Sequence, residues 1–443
     1  MASIKPISGF PEWLPGEKIV EEKFLSKIGR VFQLNGFSPI ETPAVERAGT
    51  LIAKGGNEKE IYKIGRLRAT NESSDDNDLA LHFDLTVPMA RYIAQHEREL
   101  VFPFKRYQMQ TVWRGERPQA GRFRQFYQCD IDIIGRESLP LVCDAEIAAI
   151  MASILRSLAI GDFQIRINNR KILQGFLSGV GIDQSFHYAV MGCVDKLEKI
   201  GEAGVVAEIC DVLQDANFDA SGILDFLSRK IPLNRVTDLL PLSGDPVFQE
   251  GVNELAGVVA TTLAKGVDQD TLVVDLSIAR GLDYYTGTVF ETRLVKYPEL
   301  GSVCSGGRYE NLIGTFASGS YPGVGMSIGL TRLLSQLFKQ KLIATRAQSY
   351  TKFFLIPLSS EQQVTAYTES FASRLRSWDV PCEVSVIQGK LAKHIEYAER
   401  KGIARIILIG TDEIANRTVR VKDLTTREQQ DVSIIDEAFF TGF

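Results

Sequence analysis

At 443 residues the chain is too long for one ordinary hydrophobic core, and two or three domains are the expectation. Hydrophobic residues at 44% and charged residues at 24% describe a globular protein with little room for long disorder, and no apolar run approaches the roughly 18–20 residues that span a bilayer. A formal charge of −5 gives no global sign of a nucleic-acid partner, although a local basic surface would suffice for one.

Residues 1–13 hold one lysine and no apolar core segment, so neither a signal nor a transit peptide is expected and the cytoplasm is the natural compartment. Residues 21–35 then place Phe24, Ile28, Val31 and Phe32 at helical spacing, with Gly36 as a stop. Segment 37–43 reads as extended, because Pro39 and Pro43 disfavour helix in the residues before them. Residues 66–78 are polar and read as an exposed loop. From 102 to 134 the pattern is two strands joined by a long charged loop, and between 176 and 268 it turns helical without motif residues. Strand-like alternation returns at 271–278 and 287–292. After a polar linker, strands at 353–357, 382–386, 406–409 and 418–421 with helices at 361–378 and 391–401 predict a small α/β domain. The six cysteines form no Cys-x-x-Cys pair and the four histidines no cluster; neither structural zinc, a disulfide framework nor a catalytic histidine is expected.

Strand side chains alternate between faces. In 126–134, Tyr127, Cys129, Ile131 and Ile133 form an apolar face, while Phe126, Gln128, Asp130 and Asp132 point the other way. A solvated amphipathic strand gives the same alternation, so the preceding strand matters. There Tyr107, Met109 and Trp113 share one face and Arg106, Gln108, Gln110 and Arg114 the other. The connecting loop supplies Glu116, Arg117, Arg122 and Arg124. If the strands pair through this loop, arginines and carboxylates converge on one sheet surface. Guanidinium groups suit phosphate oxygens, and the carboxylates suit a small polar cation.

These residues carry a family resemblance. Trp113-Arg114-Gly115-Glu116, followed by Arg122-x-x-x-Phe126-x-x-x-Asp130, resembles motif 2 of the class II aminoacyl-tRNA synthetases. Gly323-Val-Gly-Met-Ser-Ile-Gly-Leu-Thr-Arg332 resembles motif 3, and 36–43 the weaker motif 1 associated with a dimer interface. A dinucleotide fingerprint would need another glycine spacing and a preceding apolar strand. Ala279-Arg-Gly-Leu-Asp-Tyr-Tyr-Thr-Gly287 and Ser305-Gly-Gly-Arg-Tyr309 are similar to the two histidine motifs of the histidyl-tRNA synthetases, and Phe83-Asp-Leu-Thr-Val-Pro88 and Gln128-x-x-x-Asp132 agree with them.

The resemblance implies an α/β (α+β) fold: a class II catalytic core on a mixed, largely antiparallel sheet, with a helical insertion and a C-terminal α/β anticodon-binding domain. The boundaries expected are 1–175 and 269–338 for the core, 176–268 for the insertion, 339–350 for a linker and 351–443 for the last domain. It implies a ligase that joins histidine to tRNA(His), working with ATP and Mg²⁺ as a homodimer away from membranes. Asp84, Thr86 and Gln128 match positions that hold the histidine ammonium and neighbouring groups, and Leu85 falls among the histidine-binding positions; Asp132 and Tyr285, with Tyr284 beside it, match positions around the imidazole, and Tyr309 matches another pocket-lining position. Arg114 and Arg280 match the arginines that grip the α-phosphate and carboxylate. Arg114, Glu116, Arg122, Phe126 and Arg332 match ATP contacts, with Phe126 and Arg332 on the two sides of adenine. The sequence departs from many bacterial members in having aspartate at 84 and 132, His82 where arginine is common and Thr331 where glutamate is common. Two alternatives share the fold: a regulatory paralogue of the kind that supports ATP phosphoribosyltransferase, and a tRNA-sensing module. The intact Arg-Gly-Leu-Asp-Tyr-Tyr segment and the extra C-terminal domain weigh against the first, the lack of kinase motifs against the second. Lys390, Lys393, Arg400, Lys401, Arg417, Arg420 and Lys422 are candidates for an RNA-facing surface, and ordinary solvated charges would look the same.

Overall fold

The structure is a computed structural model that describes residues 4–53, 58–65, 78–117, 121–215, 218–278, 285–310 and 312–443. Two compact units emerge: Met1–Pro11 with Phe24–Gln340, and Glu12–Lys23 with Lys341–Phe443. Most of the polar segment 66–78 lies outside the described residues.

Helix α1 (Pro15–Leu34) begins earlier than the periodicity indicates. Proline suits a first helical turn because its φ is already helical and its missing N–H is not needed there. The Glu17 carboxylate accepts from the Leu14 amide at 2.9 Å, which satisfies one more free donor. Phe24, Ile28, Val31 and Phe32 form its buried stripe, and Gly36 at φ +78° ends it. Of the extended segment that follows, β1 (Ser38–Pro39) pairs with a neighbouring strand, and the Ile40 amide donates to the Tyr107 carbonyl at 3.0 Å; Pro43 has no N–H to carry the ladder further.

A short ribbon of β2 (Val45–Arg47) and β3 (Leu79–Leu81) flanks α2 (Ala48–Ile52) and precedes α3 (Thr86–Gln95). Then come β4 (Phe104–Trp113) and β5 (Gln125–Ile134), an antiparallel pair in unbroken register from Phe104↔Ile134 to Trp113↔Gln125. Helix α4 (Val142–Leu158) is buried along most of its length, and its Asp144 holds Arg308 of the sheet at 2.5 Å. After β6 (Phe163–Asn169) the chain is helical: α5 (Arg170–Gly179), α6 (Gln184–Val194), α7 (Leu197–Leu213), α8 (Ser221–Leu227) and α9 (Pro246–Ala264). It returns through β7 (Leu272–Val274), parallel to β6. This strand is shorter than its alternation suggests, because Asp275 accepts from the Ser277 amide at 3.0 Å and turns the chain. The unit closes with β8 (Tyr285–Leu294), β9 (Cys304–Tyr309), β10 (Gly323–Gly329) and α10 (Leu330–Lys339).

The sheet order is β1-β4-β5-β10-β9-β8-β6-β7. Only the outermost pairs, β1/β4 and β6/β7, are parallel. This is the mixed, largely antiparallel sheet that the resemblance implied.

The second unit holds β11 (Phe353–Pro357), α11 (Gln362–Ser377), β12 (Cys382–Val384), α12 (Leu391–Lys401), β13 (Arg405–Ile409), α13 (Thr411–Asn416), β14 (Thr418–Asp423), β15 (Gln429–Ser433) and α14 (Glu437–Thr441). Its sheet runs β12-β11-β13-β14-β15. Alternation along β11 divides its two cores: Phe353 and Leu355 pack with Phe371, Leu375 and Phe440, while Phe354 and Ile356 pack with Ala398, Ile403 and Leu408. The sequence pattern misses β15, α13 and α14.

Candidate active site

The polar face of the β4/β5 pair is buried, not solvated. Gln128, Asp130 and Asp132 are 8%, 3% and 5% exposed, which removes the reading of a water-facing amphipathic strand. They form part of the wall of a cavity of about 800 Å³, within the usual size range for small-molecule sites.

At the acidic end, Arg106 of β4 sits opposite Asp132 of β5 and forms a buried ion pair with it. Tyr309, the last residue of β9, donates its hydroxyl to the other Asp132 oxygen at 3.0 Å. Asp84, just before α3, accepts from the Val87 amide at 3.2 Å, and its second oxygen has no partner among the described residues. Three carboxyls thus surround one buried guanidinium. Burial pushes Asp84 and Asp132 up to about 6 and Asp130 up to about 7, against the pull of Arg106. Burial also raises the Tyr309 hydroxyl, with Asp132 adding to the shift. A wall short of positive charge is suited to a ligand that brings its own cations and N–H donors.

Thr86, the first residue of α3, and Tyr285, paired with Tyr309 across β8 and β9, line the same space. Glycines let the strands come close enough. A Cβ at Gly325 would collide with Asp132 Oδ1, and one at Gly323 with the Tyr309 ring. The alternating glycines of 323–329 are therefore what lets Asp132 and Tyr309 lie flat over β10.

The opposite end is cationic. Arg114 follows β4 directly; its Nε donates to the Phe83 carbonyl at 3.0 Å, and its guanidinium lies 5.1 Å from the Phe126 ring centroid. Arg122 pairs with Glu116 at 3.2 Å, but its side chain is 62% exposed, so the pair holds it loosely. Arg332 of α10 lines the cavity too and donates to the Leu300 carbonyl at 3.1 Å. Thr331 beside it accepts from the Tyr127 amide at 2.8 Å, tying α10 to the start of β5. The His82 ring lies 5.5 Å from that of Trp113, tilted by 31°, and its Nε2 bonds the Thr111 carbonyl at 2.7 Å, so it supports the strand rather than the ligand.

Asp84, Thr86, Arg114, Glu116, Arg122, Phe126, Gln128, Asp132, Tyr285, Tyr309 and Arg332 therefore share one cavity. Leu85 is fully buried and turns away into the core. Arg280 and Tyr284 lie outside the described residues. Asp130, read from the sequence as one of the carboxylates for a small cation, lines the cavity, as do Ser327, Glu291, and Lys196 and Lys199 of the helical segment, to which the sequence gave no site role. For Asp130 the signal was present in its alternation with Gln128 and Asp132. For the two lysines none existed, because only folding brings the α6–α7 turn to the sheet.

Comparison with known proteins agrees along the chain. A family model described as histidyl-tRNA synthetase matches residues 9–333, and one described as an anticodon binding domain matches 352–438. The histidine–tRNA ligase of Clostridium tetani is 43% identical over 440 residues, covering 97% of each chain. That of Thermobifida fusca is 44% identical over 426 residues, covering 96% of this chain and 95% of the relative. The crystal structure of histidyl-tRNA synthetase from Nostoc sp. PCC 7120 superposes with a TM-score of 0.90 at 40% identity, covering 100% of both chains. An ATP phosphoribosyltransferase regulatory subunit/histidyl-tRNA synthetase from Bacillus halodurans C gives 0.73 at 18% identity, over 93% of this chain and 99% of that one, a likeness of fold alone.

Proposed function

The chain belongs to the histidyl-tRNA synthetase family, and from that premise we propose that its cavity activates histidine with ATP and then passes it to the 3′ end of tRNA(His). The observation that carries this reading is a single cavity with a buried acidic wall at one end and arginines at the other. Asp84, Thr86 and Gln128 would receive the ammonium; Asp132, Tyr285 and Tyr309, with Tyr284, the imidazole. Arg114 and Arg280 would hold the histidine carboxylate against the α-phosphate. Glu116, Arg122, Phe126 and Arg332 would hold the rest of the nucleotide.

The histidine carboxylate oxygen attacks the α-phosphorus, the bond to pyrophosphate breaks, and histidyl-adenylate remains. A ribose hydroxyl of the tRNA then attacks the adenylate carbonyl and releases AMP. Both steps bring anions together, so fixed guanidinium groups lower the barrier by stabilising charge on the transferring phosphoryl group. Mg²⁺ would enter as part of the nucleotide substrate and supply further neutralisation. The donor groups facing the phosphate end are guanidinium, which suits this division of labour.

The 351–443 unit would meet the anticodon end. Lys390, Lys393, Arg400 and Arg417 are exposed on it, whereas Lys401 is paired with Glu383 at 2.6 Å and Arg420 with Asp431 at 2.9 Å. The first four are the better RNA contacts. Residues 1–175 and 269–338 would form the catalytic core, with 176–268 as its insertion and 339–350 as a linker. Among the described residues no helix is long and apolar enough to cross a membrane, and the cytoplasm is the proposed compartment. The working form would be a homodimer; a sedimentation mass near one 49.2 kDa chain at micromolar concentration would refute that.

The decisive assay is ATP–pyrophosphate exchange with purified protein, Mg²⁺ and each standard amino acid in turn. Exchange with histidine alone is expected. Folded protein that binds histidine but gives no exchange would instead point to a regulatory role.

A further inference from the structure

We propose that Asp130, acting through the hydroxyl of Ser327, fixes the orientation of the Gln128 side-chain amide, so that its carbonyl oxygen accepts from the ammonium of the bound amino acid. This rests on the reading above, in which Gln128 meets that ammonium; Asp130 and Ser327 are positioning residues for it.

The register sets up the contact. Gln128 and Asp130 lie two apart on β5 and so share a face, and Ser327 of β10 is the direct partner of Asp130. Gln128 Nε2 donates to Ser327 Oγ at 2.6 Å. The strand pairing sets the Ser327 hydroxyl beside the Asp130 carboxyl, on the same face of the sheet. A serine hydroxyl has one hydrogen. Since its oxygen accepts from Gln128, that hydrogen is free to go to Asp130, and the relay runs in one direction from amide to hydroxyl to carboxylate.

The amide directly across from Asp130 is occupied. Gln108, across from Asp130 on β4, gives its Nε2 hydrogens to Thr42 Oγ1 at 3.0 Å and Gln110 Oε1 at 2.7 Å. Gln128 Oε1 is then left buried at the cavity wall with no partner among the described residues. An unpaired buried acceptor is costly until a donor arrives, and an ammonium is such a donor. The two ends of a glutamine amide have nearly the same shape, so hydrogen bonds alone decide which end faces the ligand. Without the relay, Ser327 or water can donate to Oε1 instead, and the amide turns its N–H toward a cation.

The test uses Ser327→Ala, Ser327→Thr, Asp130→Asn and Gln128→Ala in the exchange assay, with 3-(imidazol-4-yl)propanoate, which lacks the amine, as a competing ligand. Ser327→Ala and Asp130→Asn should raise the histidine KM by about 10-fold or more, the size of one hydrogen bond to a charged group. The fall in kcat should be smaller, the ATP KM should move little, and Ser327→Thr, which keeps the hydroxyl, should restore most of the affinity. Inhibition by the amine-free analogue should hardly change, because it has no ammonium to lose. Equal weakening of histidine and the analogue would overturn the relay and leave a packing role. If Gln128→Ala raises the histidine KM while Ser327→Ala and Asp130→Asn do not, the relay fails and the Gln128 reading stands. If Gln128→Ala is itself silent, the premise is what has failed.

Discussion

Arg114→Ala should slow histidyl-adenylate formation by about 10²–10³-fold, the usual loss when one pre-aimed charge-stabilising donor is removed. Two contacts hold this guanidinium before any substrate arrives: the Nε bond to the Phe83 carbonyl and the Phe126 ring beneath it. Both terminal nitrogens can therefore meet phosphate oxygens without a further ordering step. Arg114→Lys should recover little, because an ammonium cannot make the carbonyl contact and also present a planar pair of donors. Single-turnover measurement of adenylate, with folding checked by circular dichroism, distinguishes the outcomes. A near-normal rate in the alanine variant would remove Arg114 from the reaction centre.

The second large effect is on stability. Arg106→Leu leaves Asp84, Asp130 and Asp132 in a buried wall without their shared cation, and removal of one partner from a buried ion pair costs about 3–5 kcal/mol. The loss should depend on pH. An aspartate in the unfolded chain titrates near ~4, while burial holds these three at about 6 to 7 in the fold. As pH rises through that window the unfolded chain releases protons that the folded chain keeps, so stability falls. Arg106 limits the fall by lowering all three values. Without it the carboxyls move higher still and the decline extends above pH 7. Urea unfolding should then show a larger difference between variant and parent at pH 8 than at pH 5. An equal difference at both would mean that packing, not charge, is what Arg106 supplies.

What could be read in advance follows from how local each signal is. Alternation from Phe126 to Asp132 and the motif-like strings beside it need only neighbours in sequence, and they led to most of the cavity wall. The Arg106–Asp132 pair needs the strand register, which alternation narrows to a face without choosing the partner. Asp130 was visible on the polar face as a carboxylate suited to a small cation, but its tie to Gln128 depends on Ser327 opposite it, which only the register supplies. Lys196 and Lys199 reach the cavity only through the packing of a helical segment whose pattern is amphipathic and otherwise plain. The strand β15 was missed for a different reason. Gln429–Ser433 has one buried residue, Val432, and a polar edge strand leaves almost no period to detect.

The parallel pairing of β6 with β7, Ile165↔Leu272 to Ile167↔Val274, makes everything between them a single detour from the sheet's point of view. The chain leaves beyond the Ile167↔Val274 end of that ladder and re-enters at its Ile165↔Leu272 end, as a parallel crossover must. Closing a chain excursion costs only about 0.6 kcal/mol more for each doubling of its length. Residues could be added to or trimmed from this stretch with little penalty to the ladder, so long as the helices that remain still cover their own apolar faces. That makes the segment a place where lineages of one enzyme can diverge in size while the chemistry stays in register, and a natural site for grafting a foreign domain.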